Sequence, residues 1–235
     1  MASDLDRAKA AAAARAVDAV RPGMRVALGT GSTAAFAVRA IAERVGPGSV
    51  ACVASSRATE ALAASLGLAV RPLRGDDRFD LMIDGADEVS PSLDLTKGGG
   101  GALLREKLLA TLSRELVIIV DPTKLVRHLG ERSSIPVEVV PFARPVVAHG
   151  FESRGYRVAV RVAPDAEPYR TDNGNEILDV RPPRPIEDPA TAARELAAPI
   201  GVVETGLFVG LAHQVLIGHP DGTVDARFRN GAPSV

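Results

Sequence analysis

The chain has one cysteine, almost no net charge and no long apolar run, and each shortage removes a class of function. With Cys52 alone among 235 residues, no disulfide scaffold can form within the chain. Cys52 sits in the apolar run Val50-Ala51-Cys52-Val53, which reads as a small buried thiol in a reduced, intracellular protein. A formal net charge of −1, with the two signs interspersed, leaves no basic footprint for nucleic acid or for an anionic membrane surface. No apolar stretch approaches the roughly 20 residues of a membrane span, and Asp4 and Asp6 beside Arg7 and Lys9 do not make a signal peptide. The four histidines, His128, His149, His213 and His219, are scattered without ligand spacing, so zinc has no support. A small-molecule partner in the cytoplasm, without nucleic acid, membrane or metal, is the expectation.

Short apolar runs alternate with helical segments over the first half of the chain. A helix over residues 3–20, with Ser3 as N-cap and Pro22-Gly23 as its stop, precedes strands at 24–28, 50–53, 68–70, 79–83 and 116–120. Helices at about 33–45, 57–66 and 101–113 lie between them, the pattern of βαβ units around a parallel sheet. From about 136 the style changes to proline-rich breaks, an alternating run from Tyr156 to Val162, and Asp172-Asn173-Gly174-Asn175 as a hairpin turn before Ile177 to Val180. Arg181-Pro182-Pro183-Arg184-Pro185 reads as a connector, followed by a helix at about 188–197 and strand-like sequence from Val202. The expected division is an α/β domain over 1–130 and 206–235, with a smaller α+β domain over 131–205.

Three motifs carry chemistry. Gly29-Thr30-Gly31-Ser32-Thr33-Ala34 follows the first strand and opens a helix, matching the G-x-G-x-x-A fingerprint. A nicotinamide cofactor would also need an acidic residue at the end of the second strand, and that strand ends in Ala54-Ser55-Ser56-Arg57. Glycines that admit an anion, helix N-terminal amides and the hydroxyls of Thr30, Ser32 and Thr33 still suit a phosphate or sugar-phosphate cradle. A dinucleotide site and a merely structural turn are the alternatives.

Asp84-Gly85-Ala86-Asp87-Glu88 crowds three carboxylates at the carboxyl end of a parallel strand, where open α/β sheets bind ligands. A capped turn would explain one acid, and a divalent metal is a second rival. Lys97-Gly98-Gly99-Gly100-Gly101 is expected beside that turn, where the lysine would neutralise the acids. Four consecutive glycines are entropically costly unless their backbone must approach something. In the following helix Glu106 shares a side with Leu103 and Ala110, and a carboxylate pressed against apolar neighbours suits a general base. The bland alternative is an exposed Glu106 between Arg105 and Lys107.

Together these motifs resemble the A-type ribose-5-phosphate isomerases. Val120-Asp121 with Lys124, Pro136 to Pro141, Thr171 to Asn175 and Gly201 to Glu204 with Gly206 to Phe208 extend the match over nearly the whole chain. The resemblance implies a Rossmann-like domain with a smaller ferredoxin-like one, a homodimer or homotetramer, a phosphosugar substrate and no metal or organic cofactor. By motif it places the general base on Glu106, ring-opening acid/base and hydroxyl contacts on Asp84 and Asp87, and the cationic stabiliser on Lys97. It places substrate binding on Thr30, Gly31, Ser32, Thr33, Gly85, Ala86, Gly98, Gly99, Gly100 and Lys124, with Lys9 a weaker phosphate candidate. The chain departs from the common pattern at Pro122-Thr123, at Thr205 and at Ser55-Ser56-Arg57. A sugar-phosphate-sensing domain without catalysis is the rival from another class; the roughly 23 residues before the first strand are too few for a helix-turn-helix.

Overall fold

A computed structural model describes residues 3–46 and 48–229. The first half of the chain forms α1 (Asp4–Val17), β1 (Arg25–Leu28), α2 (Ser32–Val45), β2 (Ala51–Ala54), α3 (Arg57–Ser65), β3 (Ala69–Val70), β4 (Leu81–Asp84), β5 (Glu88–Val89), β6 (Leu95–Thr96), α4 (Leu103–Thr111) and β7 (Leu116–Val120). The second half forms β8 (Ile135–Val139), α5 (Arg144–Glu152), β9 (Arg157–Val160), β10 (Glu176–Arg181), α6 (Pro189–Ala197), β11 (Val202–Thr205), β12 (Leu207–Phe208), β13 (Gln214–Gly218) and β14 (Val224–Phe228). These elements divide into two compact units: Met1–Ala86 with Arg105–Leu125 and Leu211–Val235, and Asp87–Leu104 with Val126–Gly210.

The first unit is a seven-stranded sheet in the order β14-β13-β7-β4-β1-β2-β3, parallel at every pairing except β13 with β14. β4 and β7 are buried along their whole length, as strands covered on both faces must be, which explains the apolar runs Leu81–Ile83 and Leu116–Val120. Ser3 caps α1, its hydroxyl accepting from the Asp6 amide, and the small residues Ala8, Ala12, Ala13 and Ala16 form the buried side of that helix. After β3 the chain crosses to the other side of β1, so β1 and β4 flank the switch point of a doubly wound, Rossmann-like sheet.

The second unit contains a four-stranded antiparallel sheet in the order β11-β8-β10-β9, with α5 and α6 following β8 and β10. This βαββαβ succession is ferredoxin-like. Its core is built from Ile135, Val137, Val139, Val147, Phe151, Leu178, Val180 and Leu196. A second sheet, β12-β6-β5, draws Asp87–Leu104 into this unit; the chain is back in the first unit over Arg105–Leu125, and returns to it for good after Gly210. The unit is thus larger than residues 131–205. Its extra strands are two residues long, too short to show any alternation.

Two local expectations differ from the structure. Helix α5 occupies a stretch that reads as a proline-rich break, because Pro145 stands in its first turn, where a missing N–H costs nothing. The Asp172–Asn175 turn does close, with the Gly174 amide donating to the Thr171 carbonyl at 2.9 Å, but β9 ends at Val160. A separate bridge between Val162 and Pro168 lies between the turn and that strand. Thr171, Asn173 and Asn175 all donate to Oε1 of the buried Glu138, at 2.9, 3.1 and 2.9 Å. Among the described residues no helix is long and apolar enough to cross a membrane.

Candidate active site

In the first unit, parallel pairing of β1 with β4 sets Gly29 beside Asp84, and the Gly29 amide donates to the Ile83 carbonyl at 3.0 Å. The approach is so close that a Cβ on residue 29 would lie 2.1 Å from Asp84 Oδ1, so only glycine fits there. Asp84 is fully buried, and its Oδ1 accepts from the amides of Thr30 at 3.1 Å and Gly85 at 2.8 Å. The first glycine of the fingerprint therefore admits a carboxylate from the neighbouring strand.

Helix α2 starts at Ser32 behind Gly31, whose φ of +104° is open only to glycine, and among the described residues no side chain caps its first turn. Its N-terminal amides are thus those of an anion-receptive helix end. Of the three hydroxyls expected as phosphate donors, that of Thr30 is committed internally. It bonds to Ser55 Oγ at 2.7 Å and Ser56 Oγ at 2.9 Å, while Thr59 Oγ1 donates to the Gly29 carbonyl at 3.0 Å. The serines that replace a ribose-binding acid at the end of β2 are therefore the braces of the glycine loop. Ser32 is exposed and receives a 3.0 Å hydrogen bond from Lys9 Nζ on α1, which brings that lysine to the loop. Thr33 is half-buried and lies across from Gly85.

Glu106 in α4 is only 3 % exposed, which settles the choice between a solvated face and a buried one. Leu103 and Ala110, which share its side of the helix, are buried too. Lys124 is half-buried at the end of a short 3₁₀ turn after β7, and the Asp121 carboxylate caps that turn by accepting from the Thr123 amide at 2.9 Å.

In the second unit the β5–β6 hairpin joins the acidic turn to the glycine-lysine turn: Glu88 pairs with Thr96, and the Asp87 amide donates to the Thr96 carbonyl at 2.8 Å. Gly99 donates its amide to Asp87 Oδ2 at 2.8 Å, and a Cβ there would lie 2.6 Å from Oδ1. The glycine run is close to something, as expected, and that something is a carboxylate of the protein itself. Lys97 is buried with its Nζ 5.5 Å from the centre of the Phe208 ring.

The three acids of the acidic turn part ways. Glu88 is buried and accepts from Thr96 Oγ1 at 3.1 Å and from the amides of Gly130, Arg132 and Ser133 at 2.6, 2.6 and 2.7 Å. It holds the 130–133 loop. Sequence reasoning passed over Arg161, which reaches the glycine-lysine turn from beyond the end of β9. Its sequence signal is no more than a charge at a polar position of the alternating run from Tyr156 to Val162.

A doubly wound sheet with glycine and acidic loops at its switch point is the framework of a ligand-binding α/β protein. The family model of ribose 5-phosphate isomerase A (phosphoriboisomerase A) matches residues 51–222. Ribose-5-phosphate isomerase A of Chloroflexus aurantiacus is 49% identical over 217 residues, covering 91% of this chain and 90% of that protein. The Deinococcus radiodurans protein of the same name is 43% identical over 229 residues, covering 93% and 97%. Among solved structures, ribose 5-phosphate isomerase A from Methanocaldococcus jannaschii superposes with a TM-score of 0.87 at 36% identity, covering 94% of this chain and 97% of that one. A D-ribose-5-phosphate isomerase in complex with phospho-erythronic acid superposes at 0.92 with 31% identity, covering 97% and 100%. This chain belongs to the ribose 5-phosphate isomerase A family. The match over nearly the full length of proteins named as isomerases favours catalysis over a purely sensing domain.

Proposed function

We propose that the chain interconverts D-ribose 5-phosphate and D-ribulose 5-phosphate through an enediolate, with Glu106 as the general base. The observation that carries the assignment is the burial of Glu106, since withdrawal from bulk water favours proton uptake by a carboxylate. In this reading Ser32, Thr33 and the amides at the start of α2, with Lys9 and Lys124, hold the phosphate. Asp84 and Asp87 assist ring opening and bind the sugar hydroxyls beside Gly85 and Ala86. Glu106 takes the proton from C2 and returns it to C1, while the hydroxyl proton of O2 moves to O1. Lys97 and the Gly98–Gly100 amides stabilise the oxygen on which negative charge develops. No metal or organic cofactor takes part.

The test is ketose formation from ribose 5-phosphate in the presence of a chelator. The wild-type chain should turn over, and Glu106→Gln should lose about 10² to 10⁴ in kcat, the usual worth of a general base, while still binding phospho-erythronic acid. Near-normal turnover by that variant would remove Glu106 from the role. We further place the enzyme in the cytoplasm as a homodimer or homotetramer. Phe142 and Ile200, 96 % and 97 % exposed, are apolar surface of the kind an assembly covers. Light scattering on the purified chain tests the assembly.

A further inference from the structure

Arg161 lies just past β9, its backbone fixed on both sides: its amide donates to the Ile177 carbonyl and its carbonyl accepts from the Tyr169 amide, each at 2.9 Å. Its guanidinium is spread between two tasks. Nε and Nη2 grip the two oxygens of Asp179 at 2.9 and 2.6 Å, and Nη1 donates to the carbonyls of Gly98 at 2.8 Å and Gly99 at 3.0 Å. The side chain is 16 % exposed and that of Asp179 21 %, so both work largely out of bulk water.

A trans peptide carries its C=O and the following N–H on opposite edges. With the Gly98 carbonyl turned to Arg161, the Gly99 amide must face away, and it does, towards Asp87 Oδ2 at 2.8 Å. The Gly99 carbonyl is turned to the same guanidinium, so the Gly100 amide faces away from Arg161 as well. The Gly101 amide closes the turn on the Gly98 carbonyl at 2.9 Å. One cation therefore sets the direction of two successive amides, and its charge behind the carbonyls polarises them into stronger donors.

We propose that Arg161, held by Asp179, is a positioning residue for the isomerisation: it aims and polarises the Gly99 and Gly100 amides, the Gly99 amide holding Asp87 and the Gly100 amide directed at the oxygen that gains charge in the enediolate. This rests on the isomerase reading above. Arg161 touches no reacting atom, and its effect travels through the turn. The planar fork explains why arginine stands here, since one guanidinium serves a bidentate carboxylate and two carbonyls together.

The experiment measures kcat, KM and the inhibition constant of phospho-erythronic acid, whose carboxylate imitates the charge of the enediolate, for wild type, Arg161→Gln, Arg161→Lys and Asp179→Asn, each with its thermal midpoint. Arg161→Gln should lose roughly 10 to 100-fold in kcat, somewhat under the loss of one direct oxyanion donor, with KM changed less than about threefold. Inhibitor affinity should fall in step with kcat. Arg161→Lys should recover part of the loss, and Asp179→Asn should show a smaller loss of the same kind. Folded Arg161→Gln with kcat within twofold of wild type overturns the proposal and leaves the isomerase reading intact. Should Arg161→Gln fail to fold, Asp179→Asn decides: a loss matching only its unfolded fraction, with unchanged inhibitor affinity, also overturns it. A wild-type chain that forms no ketose rejects the isomerase reading and this proposal with it.

Discussion

Gly29 and Asp84 are mutually exclusive with any larger residue at position 29, whose Cβ would fall 2.1 Å from the Asp84 carboxylate and 2.6 Å from its Cα. Gly29→Ala must therefore push β1 and β4 apart as well as turn the carboxylate away from the Thr30 and Gly85 amides. We expect it to lower both the thermal midpoint and kcat, the latter by at least about tenfold. Asp84→Asn adds no atom and should lose activity with far less effect on melting. Equal melting and equal activity for Gly29→Ala would contradict the packing described.

Glu88→Gln tests the other fate of an acid in the same turn. The native carboxylate meets four donors, and an amide nitrogen in place of one oxygen would face an N–H instead of accepting from it. Leaving a buried donor unpaired and weakening charge-assisted bonds should cost about 3 kcal/mol, read from denaturant midpoints. The catalytic parameters of the folded fraction should stay near wild type. A catalytic defect without a stability loss would mean that Glu88 belongs with Asp84 and Asp87.

Part of the chain's acid sensitivity should arise at Asp77. The Arg71 guanidinium, bonded to both of its oxygens, and the Arg74 amide hold this carboxyl well below the usual carboxylate range. Because the folded pKa is depressed, the stabilisation is present at neutral pH and is lost as pH falls below the unfolded value of about 4. Asp77→Asn should be less stable than wild type at pH 7, and the gap should narrow progressively below about pH 4. A gap independent of pH would show that the ion pair does not contribute through ionisation.

Burial pushes the Cys52 thiol up to about 11. With the folded pKa raised above the unfolded one, the contribution is complete below about pH 8.5 and fades as pH climbs towards 11. At pH 8 the native chain should resist iodoacetamide, and labelling in denaturant should follow the unfolding transition. Fast labelling of the folded chain would place the thiol in contact with solvent.

The legible parts of the fold were those that repeat. Alternating βα segments up to residue 120 disclosed the parallel sheet because its central strands carry apolar runs and the helices between them recur at regular intervals. α5 escaped because Pro145 and Gly150, read locally, argue against a helix, whereas the packing of Val147 and Phe151 into the four-stranded sheet outweighs them. β5, β6 and β12 escaped because two residues carry no period. Among the site motifs, the placement of the glycine loop between β1 and α2 was legible from position, whereas helix periodicity left Glu106 open between a solvated and a buried side, and packing decided for the buried one. The internal use of the Thr30 hydroxyl and of Glu88, and the reach of Arg161, depend on partners 25 to 63 residues away in sequence, which no local pattern encodes.

The interleaving of the two compact units has a genetic consequence. Because the chain changes unit within the acidic turn, inside α4, after Leu125 and after Gly210, neither unit corresponds to a continuous stretch of coding sequence. A single recombination junction therefore cannot transplant one without severing the other.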